Sequence, residues 1–260
     1  SLRTPLKRAH ASSGLLPRLM AMHHPSALRN REPIWDELKR VLPRYLDLSG
    51  QGENSSKLKA SVLELASGTG AYVEHFSLQD ECIFWQQSDR DAETVATTVV
   101  AEPKQANIGH PPAIIELEDA RPNDEGLRLE ESVGKTVKQM TSQSGRGEVD
   151  ALYFSNMTHI SPYECTQNVF RAVVPHLVKH AGLRLVLMYG PFKRGGEFTT
   201  QSNRDFDTSL RGRDARWGYR DIEDVEKMAA ENGFALKEVV DMPANNFLLV
   251  FRREGGEASL

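Results

Sequence analysis

Carboxylates that close apolar runs, beside a turn of small residues, are the part of this chain best suited to chemistry. In Val62-Leu63-Glu64-Leu65-Ala66-Ser67-Gly68-Thr69-Gly70 an apolar, β-branched start reads as a buried strand and the small residues as a tight turn. Ala71-Tyr72-Val73-Glu74-His75-Phe76 then reads as the first turns of a helix. A strand that turns into a helix at glycines offers bare backbone N–H groups and a helix N-terminus to a ligand, which is how α/β proteins hold nucleotide-like cofactors. The spacing is acid-x-small-x-Gly-x-Gly, with Glu64 inside the strand end, and not the dinucleotide fingerprint G-x-G-x-x-G. Asp89 closes the next apolar run, where a carboxylate can accept from both hydroxyls of a ribose or cap the following helix, a task Asp91 could also take. Glu118 and Asp119 follow a third run, where an acid either accepts from an adenine amino group or opens a solvated loop.

Further along, Asn156 sits just past a fourth run, where its amide either orients an acceptor or satisfies a turn. His159 is the best-placed general base, since an ordinary imidazole titrates near ~6.5; the alternative is a structural hydrogen-bond partner. Tyr189 ends a fifth run and either lines a pocket or packs. Asn203, Asp205 and Asp207 alternate oxygen ligands, but the remaining ligands of a hard-cation site are missing, so no metal is expected. Arg194, Arg204, Arg211, Arg213, Arg216 and Arg220 make the same segment basic, which suits a solvated face or an anionic partner. Asn245-Asn246, between the last two strands, suits left-handed turn geometry and could donate two amides.

These groups need a frame, and 260 residues suffice for one α/β domain with a sizeable core. The net charge of −4 supplies no global basic field, so nucleic acid is not an expected partner. No apolar run approaches the ~20 residues of a membrane helix, and an obligate protein partner is not indicated. Cys82 and Cys165 form no metal-ligand pattern and read as reduced core thiols of an intracellular, most simply cytoplasmic, protein. Residues 1–28 are basic, with Arg3, Lys7, Arg8 and Arg18 ahead of any acid. They read as a flexible extension, as an upstream stretch before a start at Met20 or Met22, or as an organelle transit segment.

A single domain is expected over 29–252, with a tail at 253–260. The spacing predicts a helix from Glu32 with Pro33 in its first turn, strands at 60–66, 82–87, 113–117, 149–155 and 183–189, and helices between them. Residues 118–148 read as a polar insertion, part-helical near 127–140, and 190–217 as a long polar capping segment. Asp221–Asn232 is a helix closed by Gly233, and 234–241 and 247–252 are a closing pair of strands. Strand–helix alternation argues a parallel sheet with helices on both faces, and the short last connection argues an antiparallel hairpin.

The glycine turn resembles motif I of the class I S-adenosylmethionine (SAM)-dependent methyltransferases, with Ala66 where many have their first glycine. Arg29-Asn30-Arg31-Glu32-Pro33-Ile34, Ser155-Asn156-Met157-Thr158-His159-Ile160-Ser161-Pro162, Tyr189-Gly190-Pro191-Phe192, Gln201-Ser202-Asn203 with Phe206-Asp207, Trp217-Gly218-Tyr219-Arg220-Asp221 and Asp241-Met242-Pro243-Ala244-Asn245-Asn246 together resemble the methyltransferase-like protein 26 family, predicted methyltransferases of unassigned substrate. That resemblance implies a Rossmann-like fold with a mostly parallel seven-stranded sheet ending in an antiparallel hairpin, and SAM as cofactor with S-adenosylhomocysteine (SAH) as product; with the glycine turn, Asp89 and the closing hairpin, the leading expectation is methyl transfer to a small-molecule acceptor. It implies Glu64 toward the SAM ammonium, Ala66, Ser67, Gly68 and Gly70 around the cofactor, Asp89 on the ribose, and Glu118 or Asp119 on the adenine. Asn156 and Met157 would flank the cofactor, and Arg29 with Asn30 would reach its carboxylate. Asn156, His159 and Tyr189 would face the chemistry, and Asn203, Asp207, Asn245 and Asn246 the substrate. Two other readings stand beside it: a SAM-binding module acting through a partner, and a protein or RNA methyltransferase.

Overall fold

Strand-forming runs and helical stripes alternate along the chain, and in the computed structural model, which describes residues 23–46, 48, 58–97, 105–118 and 126–255, they alternate in space as well. Among the described residues, β1 (Ala60–Leu65), β2 (Ile83–Asp89), β3 (Ile108–Ile114), β4 (Ala151–Ser155), β5 (Leu185–Gly190), β6 (Phe234–Met242) and β7 (Asn246–Arg253) form one sheet in the order β3-β2-β1-β4-β5-β7-β6. β1 to β5 are mutually parallel. β7 runs antiparallel to both β5 and β6, so the sheet ends in the expected hairpin. Every residue of β1, β2, β4 and β5 is buried, as strands covered on both faces must be.

Helices α1 (Pro25–Leu46) and α2 (Ala71–Gln79) cover one face, where Ile34, Leu38, Leu42 and Phe76 meet Val62, Trp85 and Tyr153. The other face is covered by α4 (Gly126–Ser144), by α5 (Tyr163–Asn168) running through a π-helical turn at Val169–Val173 into α6 (Val174–Ala181), and by α8 (Ile222–Ala230). The short α3 (Ala92–Thr97) follows β2; Asp91 caps it by accepting from the Thr94 N–H at 2.7 Å.

Several sequence expectations need correction. The first helix begins at Pro25 and carries Pro33 and Pro43 inside it. Its buried stripe of Ile34, Trp35, Leu38, Val41, Leu42 and Leu46 outweighs the lost hydrogen bonds, because packing rather than propensity sustains most protein helices. Arg29 and Asn30 therefore ride on α1 instead of preceding it. The third strand lies at 108–114, upstream of the expected 113–117. It contains Pro111 and Pro112, which an edge strand such as β3 tolerates.

The polar stretch read as an insertion supplies the crossover between β3 and β4. Leu129, Val133, Val137 and Met140 recur at helical spacing and enter the core, while charged residues cover the outer face of α4. In the capping segment, α7 (Gln201–Arg213) is a regular helix whose N-cap, Thr200, accepts from the Asn203 N–H at 3.3 Å. At the final turn the left-handed residues are Ala244 (φ 60) and Asn245 (φ 56), with Asn246 extended.

Candidate functional site

In an open parallel sheet the crevice beyond the carboxyl ends of the strands is the natural binding place, and here it is built around one turn. Ala66 (φ 52), Gly68 (φ 54) and Gly70 (φ 76) are left-handed, which lets the chain leave β1 and enter α2 without a longer loop. Ser67 ties this turn to β2: its N–H donates to Ser88 O at 2.9 Å and its Oγ accepts from the Ser88 N–H at 3.2 Å. Its hydroxyl thus serves the scaffold. Asp89 braces the turn from β2, accepting from the Gly68 N–H (2.7 Å) through Oδ2 and from the Arg90 N–H (2.8 Å) through Oδ1.

Asp89 and Gly68 also line a cavity of about 390 Å³ that reaches past the ends of β2 and β3. Ile115 and Leu117 make it apolar, Met157 and Cys165 come from the β4 side, and Trp217 closes it from the segment after α7. Cys165 is buried as expected, whereas Cys82 is half-buried just ahead of β2. Burial pushes the Cys165 thiol up to about 11, so it is an inert wall. Glu118 reaches the cavity, but its Oε1 is taken by Arg216 Nη1 at 2.6 Å across the rim. Asp119 lies outside the described residues. Glu116, inside the expected third strand and so without a site signal of its own, lines the same cavity.

A second, drier group lies on the α1–α2 side of the sheet. Glu64, in register with Gln87 of β2 and Tyr153 of β4, is 1% exposed, and among the described residues its Oε2 has no hydrogen-bond partner. Burial first, and the nearby Asp89 charge second, push its carboxyl up to about 8, against a lowering contribution from Ser67. The Tyr72 hydroxyl, on the first turn of α2, accepts from Asn156 Nδ2 at 3.4 Å, and Asn30 and Ser155 also reach it. Asn156 itself is left-handed (φ 60) and donates its N–H to Tyr189 O at 2.8 Å. Tyr189 is buried, its phenol accepts from Asn246 Nδ2 at 3.1 Å, and the Arg29 charge reaches it. Asn30, Asn156, Tyr189, Asn246 and Arg29 are therefore brought together; Tyr72 and Ser155 join them without a sequence signal beyond their place after a glycine turn and a strand.

The remaining candidates behave differently. His159 is buried with its ring against Phe206 and Tyr219, at centroid distances of 6.0 and 6.1 Å. Burial, reinforced by Arg220, drives its pKa down to about 3, which corrects the expectation of an imidazole with an ordinary proton affinity. Asp207 brackets the Trp217–Tyr219 turn, accepting from Arg211 Nε at 2.8 Å and from the Tyr219 N–H at 2.7 Å. Each of its two oxygens holds one side of that turn. Asn203 donates to Thr199 Oγ1 at 2.8 Å and to Asn245 O at 3.4 Å, joining α7 to the final turn. Among the basic residues, Arg204 stacks on Phe198 at 4.9 Å, Arg216 pairs with Asp214 and Glu118, and Arg220 donates to Ser161 O and Arg216 O. No group of three or more His, Cys, Asp or Glu among the described residues is arranged to hold a metal, and none of the described helices is long and apolar enough to cross a membrane.

A buried carboxylate oxygen without a partner among the described residues, an acid braced on a glycine turn and a cavity of about 390 Å³ together fit a ligand carrying an ammonium, a ribose and a flat base. Solved structures share the fold. One is an O-methyltransferase family 2 protein from Planctomyces limnophilus in complex with apigenin (TM-score 0.57, 12% identity, 88% of this chain and 57% of that chain). Another is CalO1, a methyltransferase in calicheamicin biosynthesis, in its SAH-bound form (TM-score 0.51, 14% identity, 85% and 55%). A third is described as a pericyclic reaction enzyme (TM-score 0.52, 10% identity, 80% and 46%). The chain spans roughly half the length of the proteins it matches, and the likeness is one of fold: Rossmann-like, of the class I methyltransferase type. A family model described as a protein of unknown function (DUF938) matches residues 21–253, and the chain belongs to that family.

Proposed function

We propose that this protein is a SAM-dependent methyltransferase acting on a small molecule, in line with the motif resemblance to the methyltransferase-like protein 26 family. The observation that carries the reading is Asp89 braced against Gly68 at 2.7 Å, beside a cavity on one side and, on the other, Glu64, whose Oε2 has no partner among the described residues. In this reading Asp89 accepts from the ribose hydroxyls, Ile115 and Leu117 flank the base, Glu116 or Glu118 accepts from its amino group, and Glu64 takes the ammonium. Arg29 and Asn30 serve the carboxylate end. SAM, when bound, supplies a methyl group on a sulfonium that is its own leaving group. The chain's part is to align and desolvate the acceptor, which can be worth ~7–11 kcal/mol.

In this reading Asn156, Tyr189 and Asn246 face the acceptor, and their amides and phenol suit a hydrogen-bonding small molecule. A base adds ~10²–10⁴-fold only when the acceptor must lose a proton. His159, held near 3, is a weak proton acceptor, so acceptors that are nucleophilic without deprotonation are favoured. The basic segment spends Arg204, Arg211, Arg216 and Arg220 on internal partners, which supports a small molecule over RNA.

The same weak base supports a second reading, a protein that holds SAM without methyl transfer. The test is calorimetric binding of SAH followed by tritium transfer from labelled SAM into metabolite, peptide and RNA pools. Label in the metabolite pool is the expected result. Label only in RNA or peptide overturns the small-molecule reading, and tight binding with label in no pool favours the second.

A further inference from the structure

Glu64 is a carboxylic acid placed where a carboxylate would be costly. It is 1% exposed; the Ser67 hydroxyl favours its charged form, but burial outweighs that and Oε2 meets no donor among the described residues. Its lateral neighbours in the sheet are Gln87 and Tyr153, both fully buried, and the side-chain amide of Gln87 and the hydroxyl of Tyr153 have no partner among the described residues either. From α2 it faces the Tyr72 phenol, which is uncharged. The charge that acts on it is that of Asp89 on β2, of the same sign. A charge in such surroundings is expensive unless paired.

The geometry points to Glu64 being a neutral acid in the free protein that takes a ligand's ammonium group only by releasing its own proton. The site therefore admits ammonium-bearing nucleosides with the loss of one proton and amino-less nucleosides with none. The balance is simple: the Glu64 O–H breaks, its proton goes to solvent, and the carboxylate pairs with an ammonium that keeps its three protons. This rests on the reading of the crevice as a SAM site. It makes Glu64 a selectivity device, since an amino-less nucleoside gains nothing from its ionisation. With the carboxyl pushed to about 8 by burial, the affinity for SAH should weaken about tenfold for each pH unit below 8 until the neutral acid binds directly.

The test is calorimetry at pH 7 in buffers of different ionisation enthalpy, which counts protons. SAH and 5′-methylthioadenosine, which lacks the amino-acid part, are compared on the wild type and on Glu64→Gln. Expected are close to one proton released with SAH, none with 5′-methylthioadenosine, and none with SAH on Glu64→Gln. SAH binding to the wild type without proton release overturns the inference, and so does release that persists in Glu64→Gln. Failure of both nucleosides to bind overturns the SAM reading instead. The carbon-13 signal of the Glu64 carboxyl in the ligand-free wild type then decides the protonation claim on its own: titration in the ordinary carboxylate range overturns it, and titration near pH 8 supports it.

Discussion

The two halves of the crevice are built on opposite plans. On the β2–β3 side the polar groups are already engaged: Asp89 holds two backbone N–H groups, and Glu118 is paired with Arg216. On the α1–α2 face, around β1, Glu64 and its lateral neighbours Gln87 and Tyr153 are buried with side-chain atoms that have no partner among the described residues. Buried polar groups are ordinarily paired, so the first half reads as a finished mould and the second as one completed by what it binds. The difference teaches where affinity and selectivity would arise: shape and hydrogen bonds from the engaged half, charge discrimination from the unengaged one.

The largest effect should come from breaking the finished half. Asp89→Ala removes the acceptor of the Gly68 N–H and, in the proposed reading, both ribose bonds. Hydrogen bonds to a charged group are worth ~1.5–3 kcal/mol each, so two lost bonds should weaken SAH binding by at least ~100-fold by calorimetry. An unchanged dissociation constant would show that the mould holds something else.

Next comes the unengaged half in the free protein. Glu64 in the folded state keeps a proton that the unfolded chain has lost, between its ordinary value of 4.5 and about 8. Folding stability should therefore be highest at and below pH 4.5 as far as this group is concerned, and fall as pH rises toward 8, by at most ~1.4 kcal/mol per unit. Glu64→Gln should flatten that slope in denaturant titrations taken at pH 6 and pH 7. Equal slopes in the two proteins would mean that Glu64 is charged and that the contrast between the halves is wrong.

A smaller effect should come from the hinge between them. Ala66 holds φ 52, a conformation that costs an L-residue ~1–2 kcal/mol. Ala66→Gly removes that strain and adds ~0.4–1 kcal/mol of unfolded-state entropy. The net gain is up to ~1 kcal/mol, a rise of ~2–4 °C in Tm for a chain of this size. A fall in Tm would show that the alanine methyl packs more than the strain costs.

How far these features could be read from the sequence follows the same division. The finished half announces itself in local patterns: the glycine turn, an acid at the end of each of the first three apolar runs, a short closing hairpin. The errors lie where local and tertiary signals conflict. Pro111 and Pro112 look like a break unless β3 is known to be an edge strand. α4 hides its core residues Leu129, Val133, Val137 and Met140 among charges. Gln87 and Tyr153 carry no local signal, because their significance is their register beside Glu64, which only the assembled sheet fixes. His159 was visible as a histidine, but burial rather than identity sets its proton affinity.

The smallest effect separates two acids in the finished half. Glu118 is exposed at the rim and shares its charge with Arg216, and such pairs contribute little. Glu118→Gln should leave Tm within about 2 °C and change SAH binding by less than about threefold. Glu116, which is half-buried on the cavity wall and accepts from the Glu118 N–H at 3.1 Å, is the better-placed partner for an adenine amino group. Glu116→Gln should therefore narrow the preference for SAH over S-inosylhomocysteine, which lacks that amino group, while Glu118→Gln leaves the preference intact. If the two variants exchange roles, the rim pair opens on binding, and the half that looks finished is completed by its ligand too.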